Sequence, residues 1–272
     1  MFDFLSYQFM QNAIAAALLV CVATGVIGVF VVVNRMVFVS GGIAHAAYGG
    51  VGLGVFLGIS PVIGAFVFSF CAAIGMGLVQ RRAGERADTI IGVMWAVGMA
   101  LGVIFLELSP GFQGDLMTYL FGSILMVPTA DLWWMLALDL VILLVVAVSY
   151  RQLVAISFDE TFATIRNLPV AVLYLVLTAL IAMAVVLIMR VTGLILVIAL
   201  LTIPVAIAGW FFYDLKRLMI FATVCGAVFN LGGLWLSYVL DLSSGATIIA
   251  LAGAVYLVGL GVRALSPAGE TT

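Results

Sequence analysis

The chain has 272 residues, of which 66% are hydrophobic and only 8% are charged, and its net charge is −2. Soluble globular domains carry about 25% charged residues, so this composition excludes an ordinary soluble domain and predicts an integral membrane protein with many helices. We expect no cleaved signal peptide, because the first residues, MFDFLSYQFMQN, contain no basic region.

Nine apolar runs have about the 20 residues that a helix needs to cross a bilayer. They are residues 12–33, 37–59, 61–79, 89–108, 131–149, 169–189, 193–213, 218–240 and 245–262. Almost no loop separates the sixth run from the seventh, and a shorter run, 116–127, predicts a re-entrant or interfacial helix. We therefore expect an all-α fold, a polytopic transmembrane bundle of eight or nine spans. Residues 1–265 would form one transmembrane domain and residues 266–272 a short cytoplasmic tail.

Basic residues predict the orientation of the bundle, because they concentrate on the cytoplasmic side of a membrane. Nine crossings place only Arg190 on one side and nine basic residues on the other: Arg35, Arg81, Arg82, Arg86, Arg151, Arg166, Lys216, Arg217 and Arg263. This distribution predicts an N-terminus outside the cell and a C-terminus in the cytoplasm.

The second run contains the only histidine, within the stretch 40–54, SGGIAHAAYGGVGLG. A helix places Gly41, His45, Gly49 and Gly52 on one face, and small residues let membrane helices approach closely. A second stripe of small residues adjoins it: Gly42, Ala46, Gly50 and Gly54. His45 would lie about 12 Å inside the span, where an ionisable ring indicates a functional site. The alternative is a neutral structural histidine that bonds to a neighbouring helix.

Asp139 lies eight residues after Asp131, about 12 Å inside the fifth run. A carboxylate at that depth needs a partner, a proton or an ion. Two interpretations remain open: a neutral acid with a hydrogen bond across helices, or a polar group beside a cation or an aqueous pathway. No lysine or arginine lies at matching depth in another run, so we expect Asp139 to face a neighbouring helix or a wet cavity and to be protonated.

The polar segment 151–169, RQLVAISFDETFATIRNLP, predicts a short amphipathic helix on the cytoplasmic side. Ser157 or Asp159 can cap its start, and Asn167 can end it, since asparagine tolerates the left-handed conformation. Its apolar face would carry Phe158, Phe162 and Ile165. Such a helix either rests on the membrane surface or contacts a cytoplasmic partner.

The seventh run contains Pro204, which predicts a kinked helix because proline frees a carbonyl one turn earlier. Thr202 or a neighbour would bond that carbonyl. The sequence contains no phosphate loop, catalytic Ser/His pair, HExxH or CxxC motif. We therefore expect no enzymatic activity and no nucleic-acid partner.

Six stretches, in order along nearly the whole chain, resemble the membrane permease subunits of bacterial ABC importers for zinc, manganese and iron. Residues 40–54 are similar to the family's GDALSHAVLPGVALG. Residues 158–168 resemble FDPEFARARGL, the family's ATPase-docking segment. The other four matching stretches are 88–103, 119–125, 191–208 and 241–248.

The resemblance implies a homodimer of permeases in a bacterial or archaeal cytoplasmic membrane, two cytoplasmic ATPase subunits and an extracytoplasmic metal-binding protein. The permease would hold no cofactor and would pass a divalent metal ion, with His45 as a metal contact beside a pathway lined by Gly41, Gly49 and Gly52. Residues in the ATPase-docking segment would be Phe158, Asp159, Glu160, Phe162, Ala163 and Arg166.

One departure from the family concerns the metal. The family has an aspartate four residues before the histidine, and this chain has Gly41. A lone imidazole suits zinc or a late transition metal better than manganese, and Asp139 is another candidate contact. Two alternative functions remain: a permease for chelated iron or a corrinoid, and an ATPase-independent secondary transporter that uses His45 and Asp139.

Overall fold

The computed structural model describes residues 7–109, 122, 124–194 and 197–265, although the side chains of Glu85 and Arg190 are not described. This part of the chain is helical and contains no strand, which confirms the predicted all-α fold. Ten α-helices follow one another: α1 Gln8–Val33, α2 Val37–Phe56, α3 Pro61–Arg82, α4 Ala87–Glu107, α5 Thr129–Phe158, α6 Glu160–Ile165, α7 Val170–Thr192, α8 Val197–Ala208, α9 Leu215–Leu240 and α10 Ser244–Leu265.

Seven of these helices are long and apolar enough to cross a membrane, so the expected eight or nine spans are not confirmed: α1, α3, α4, α5, α7, α9 and α10. Helix α2 has 20 residues, but its six glycines and one histidine make it less apolar. The predicted run 193–213 contains only the 12-residue helix α8. Most of the predicted re-entrant segment 116–127 and the tail 266–272 lie outside the described residues.

The described backbone leaves helical geometry after α7, at Gly193 and Leu194, and again after α8. Gly193 follows α7 with a φ of 75°, a conformation that glycine adopts at little cost. Pro204 lies inside α8 and is buried, as the sequence predicts. The hydroxyl of Thr202 donates to the carbonyl of Ile198 at 2.8 Å, and therefore not to the Leu200 carbonyl that Pro204 leaves free.

Helix α1 lies at the centre of the bundle, where α5, α7, α8 and α9 all pack against it. Near its start, Asn12 Nδ2 donates to Thr129 Oγ1 at 3.1 Å. At its end, Asn34 Nδ2 donates to Ser157 Oγ at 2.9 Å. Because the two bonds join start to start and end to end, α1 and α5 run side by side in the same direction.

The two small-residue stripes of α2 pack closely against neighbouring helices, which confirms their predicted role in close packing. In the first stripe, a Cβ added to Gly49 would lie 2.7 Å from the carbonyl oxygen of Gly98 on α4. In the second stripe, Gly50 meets the backbone of Gly64 on α3. Side chains larger than hydrogen would push these backbones apart, so the glycines set how closely α3 and α4 approach α2.

Several basic residues lie at the end of the bundle where α1, α3 and α5 terminate, which we call the basic end. Arg81 Nη2 donates to Glu160 Oε1 at 3.1 Å. The ammonium of Lys216 lies 5.2 Å from the ring centroid of Tyr150, near the end of α5. The predicted orientation requires the basic residues to lie together at one end of the bundle, as these do. The side of the membrane that the basic end faces remains a prediction.

Candidate functional site

His45 lies in the middle of α2, half-buried against α4. Its Nδ1 is 2.8 Å from the carbonyl oxygen of Gly41, one helical turn earlier. A carbonyl only accepts hydrogen bonds, so Nδ1 carries the proton and Nε2 keeps a free lone pair. The imidazole also stacks on the indole of Trp95, with ring centroids 4.1 Å apart and an angle of 28° between the planes. The tautomer and the orientation of the ring are therefore both fixed, as in histidines that bind metals.

Side chains from α4 and α8 lie around the His45 site. Trp95 Nε1 donates to the thioether sulfur of Met99 at 3.3 Å, one turn along α4. A Cβ added to Gly41 would lie 2.7 Å from Cδ1 of Ile198 on α8 and 3.6 Å from the Trp95 ring. The tip of Ile198 and the edge of Trp95 thus occupy the space into which an aspartate at position 41 would project. His45 is left with apolar neighbours on that side.

The sequence did not reveal Trp95 as the stacking partner of His45, Met99 as the partner of Trp95, or Ile198 as the side chain beside Gly41. One signal for Trp95 was available, since tryptophan usually lies near membrane interfaces and this one falls eight residues into α4. Ile198 gave no signal, because an isoleucine in an apolar helix is ordinary.

Two of the three glycines expected to line a pathway are covered in the protomer. Gly49 and Gly52 both face the backbone of α4, and a Cβ on Gly52 would lie 2.8 Å from Cα of Gly102. Helical periodicity correctly places them on the His45 face, but that face is closed by α4 at their level. Gly41 is the exception, because it borders the imidazole directly.

Asp139 belongs to a different part of the bundle. It lies on α5, which packs against α1 and α7, and only 2% of its surface is exposed. Both carboxylate oxygens lack a hydrogen-bond partner among the described residues, so the expected hydrogen bond across helices is not found there. Within the same part of the chain, no three histidine, cysteine or acidic side chains come together as a metal-binding group. Among the described residues, His45 therefore belongs to no group of three such side chains.

The short helix α6 follows α5 directly at the basic end. Asp159 Oδ1 accepts the backbone N–H of Phe162 at 2.9 Å, so Asp159 is the predicted N-cap. Asn167 has a φ of 55°, and the N–H of Leu168 donates to the carbonyl of Ala163 at 3.1 Å. These are the features of a Schellman ending, which confirms the predicted stop at Asn167.

The residues of the predicted apolar face are exposed, whereas one of the expected docking residues is buried. Phe158, Phe162 and Ile165 are 64%, 48% and 75% exposed, so their apolar side chains project from the protomer. Ala163 is fully buried, which corrects its assignment as a docking residue, because the methyl group faces the bundle. The guanidinium of Arg166 lies 5.2 Å from the ring centroid of Phe162.

Residues 6–263 match the ABC 3 transport family. The chain is similar to an uncharacterized membrane protein of Synechocystis sp., with 54% identity over 95% of this chain and 92% of the relative. It is 31% identical to the manganese transport system membrane protein MntC of Listeria monocytogenes, over 93% of this chain and 90% of the relative. The structure of PsaBC from Streptococcus pneumoniae in complex with Fab matches with a TM-score of 0.83 and 31% identity, over 93% of this chain and 91% of that chain. Because the family match spans nearly the whole sequence, the chain belongs to the ABC 3 transport family.

Proposed function

We propose that the chain is the permease subunit of an ATP-driven ABC importer for divalent transition-metal ions. The observation that carries this proposal is the His45 imidazole, whose Nε2 is left free by the Gly41 carbonyl at 2.8 Å. A neutral imidazole nitrogen is a common ligand for transition metals and a poor one for magnesium or calcium. The manganese transport named for the Listeria relative supports the same class of substrate.

Two arguments about the metal point in different directions. The name of the Listeria relative favours manganese. The site favours zinc, because it offers a nitrogen ligand and Ile198 fills the space of a carboxylate, whereas manganese prefers oxygen ligands. We infer that zinc binds more tightly at His45 and that manganese, if carried, keeps most of its water ligands there.

A metal site with a single protein ligand is better suited to passing an ion on than to holding it. The ion would bind Nε2 with water completing its coordination, and it would leave easily because only one protein bond must break. Stacking on Trp95 holds the ring in place without adding a ligand. The close packing of α2 on α3 and α4 keeps the backbone that carries His45 in position.

The apolar side chains exposed at the junction of α5 and α6 support one partner subunit, an ATPase. Phe158, Phe162 and Ile165 would contact a cytoplasmic ATPase, which hydrolyses ATP while the permease hydrolyses nothing. A second copy of the permease would complete the pathway, and an extracytoplasmic metal-binding protein would deliver the ion. In this arrangement the basic end faces the cytoplasm of a bacterial or archaeal cell and the N-terminus lies outside.

Uptake of radioactive zinc and manganese tests the role of His45 in cells that lack their own importers. His45→Gln keeps a polar side chain but removes the imidazole, and we expect uptake to fall at least about tenfold, with unchanged amounts of permease in the membrane. Undiminished uptake of both ions would contradict a metal contact at His45.

Quenching of tryptophan fluorescence by Co²⁺ tests metal binding directly. A paramagnetic ion at Nε2 would lie next to the Trp95 indole, so the purified permease should lose part of its emission. We expect both Trp95→Phe and His45→Gln to abolish this loss, whereas Trp133→Phe, at the start of α5, should leave it unchanged. Equal quenching in all four proteins would mean that Co²⁺ binds elsewhere.

Copurification tests the docking role of α6. Phe162→Asp places a charge where an apolar side chain should be buried by the ATPase, and recovery of the ATPase with the tagged permease should drop severalfold. Trp133→Asp is the matched control, since Trp133 is also an exposed aromatic residue but lies at the opposite end of α5. Equal recovery with both variants would remove the docking role.

A further inference from the structure

Asp139 lies at the same depth in the bundle as Cys21 of α1. The bond between Asn12 and Thr129 fixes a common level near the starts of α1 and α5. Cys21 follows Asn12 by nine residues and Asp139 follows Thr129 by ten, which corresponds to about 14 and 15 Å of helix. Because the two helices run side by side in the same direction, both residues lie in the interior of the bundle.

Cys21 also connects this level to α9. Asn230 Nδ2 donates to Cys21 Sγ at 3.4 Å and to the carbonyl oxygen of Gly226 at 2.8 Å. The carbonyl fixes the amide orientation, so the Asn230 oxygen is an acceptor, and it is buried without a donor among the described residues. Three polar side chains on three helices thus occupy an apolar interior: Cys21, Asp139 and Asn230.

Few positively charged side chains lie on the helices that pack around Asp139. Helix α1 contains no charged residue, and Cys21 is its only titratable group. Helix α7 contains Tyr174, which meets Arg81 at the basic end, and Arg190, two residues before its other end. The acids of the α5–α6 junction, Asp159 and Glu160, are also at the basic end. No described ion pair involves Asp139, and an ionised carboxylate buried in this way is strongly unfavourable.

We propose that Asp139 is a proton-binding site in the interior of the bundle and that its proton holds α5 against α1. A proton neutralises one carboxylate completely. A divalent ion would leave a net positive charge among apolar side chains. Loss of the proton would place an unpartnered charge between α5 and α1, and this contact would have to open to admit water.

The position of the proton matters because α5 leads directly into α6. Only Asp159 separates the two helices, and Asp139 lies 19 residues before Phe158 on the same continuous helix. A change in how α5 packs at Asp139 would therefore shift the α6 surface. This link to the ATPase rests on the proposed function, whereas the proton site itself does not.

Infrared spectroscopy of the full-length permease in lipid vesicles tests the site. We expect a carbonyl band of a protonated carboxylic acid at neutral pH in the wild type and in Asp131→Asn, and no such band in Asp139→Asn. A wild type without the band, or an Asp139→Asn variant that keeps it, would overturn the proposal. Loss of the wild-type band on addition of Zn²⁺ or Mn²⁺ at constant pH would assign the site to a metal and overturn it as well.

Thermal unfolding against pH gives a second readout. The folded protein would keep a proton that the unfolded chain releases, so the wild-type midpoint should fall as pH rises, until the infrared band is lost. Asp139→Asn keeps the shape without the charge, and its midpoint should lose this part of the pH dependence. Asp139→Ser serves if the asparagine variant folds poorly. An unchanged pH dependence in the folded variant would overturn the proposal, whatever the result of the metal uptake experiments.

Discussion

The contact between Gly52 of α2 and Gly102 of α4 makes a quantitative prediction about the packing that supports His45. A Cβ at position 52 would lie 2.8 Å from Cα and 2.9 Å from the carbonyl carbon of Gly102, and both atoms belong to backbone. Ordinary carbon–carbon contacts need about 3.5 Å, so Gly52→Ala must separate the helices by about 0.7 Å. Overpacking of this kind costs about 1–3 kcal/mol, while alanine in a helix gains about 0.5–1 kcal/mol over glycine.

Gly253→Ala on α10 is the matched control, because no atom lies within 4 Å of the added Cβ. Both substitutions gain the same helix propensity, so the difference between their free energies of unfolding isolates the overpacking. We expect Gly52→Ala to be less stable than Gly253→Ala by about 1–3 kcal/mol in a detergent-unfolding titration. A difference below about 0.5 kcal/mol would refute the close α2–α4 contact. Because Gly52 lies two turns after His45, the emission of Trp95 should also change in the first variant only.

Substitutions at three further positions test the α6 junction and the metal site. Asn167→Ala should cost about 1 kcal/mol of stability by calorimetry, since φ is 55° there, whereas Asn167→Gly should cost less. Arg81→Gln should change stability by less than about 1 kcal/mol, because its partner Glu160 is largely exposed, yet it should lower uptake per ATP hydrolysed if the pair holds α6 to α3. Gly41→Asp should fold, because the nearest atom is the flexible tip of Ile198, and should shift uptake toward manganese; an unchanged zinc-to-manganese ratio would contradict a selective site.

Local patterns in the sequence predicted several features correctly. The capping role of Asp159 and the stop at Asn167 depend on residues within a few positions of each other, so sequence alone contains the information. The glycine stripes of α2 also follow from helical periodicity. Which helix covers a stripe does not follow, and this is why Gly49 and Gly52 were expected beside an open pathway.

Other features depend on contacts between distant segments and were missed for that reason. Trp95, which stacks on His45, and Ile198, which lies beside Gly41, come from α4 and α8, about 50 and 150 residues further along the chain. The burial of Ala163 depends on how α6 packs against the bundle. Helical periodicity shows which face of α6 carries Ala163, but it does not show what covers that face. The predicted run 193–213 is longer than α8 because apolar composition continues through Gly193 and past Ala208, where the described backbone is not helical.

The central position of α1 has a consequence for biosynthesis. Two of its polar side chains have partners that are made late, since Asn12 bonds to Val127 across 115 positions and Cys21 meets Asn230 across 209 positions. At about 10 residues per second, a ribosome needs about 20 s to make the second interval. During that time α1 would lie in lipid without these distant partners of Asn12 and Cys21. Neutral side chains tolerate this wait far better than charged ones, and the central helix α1 carries no charge.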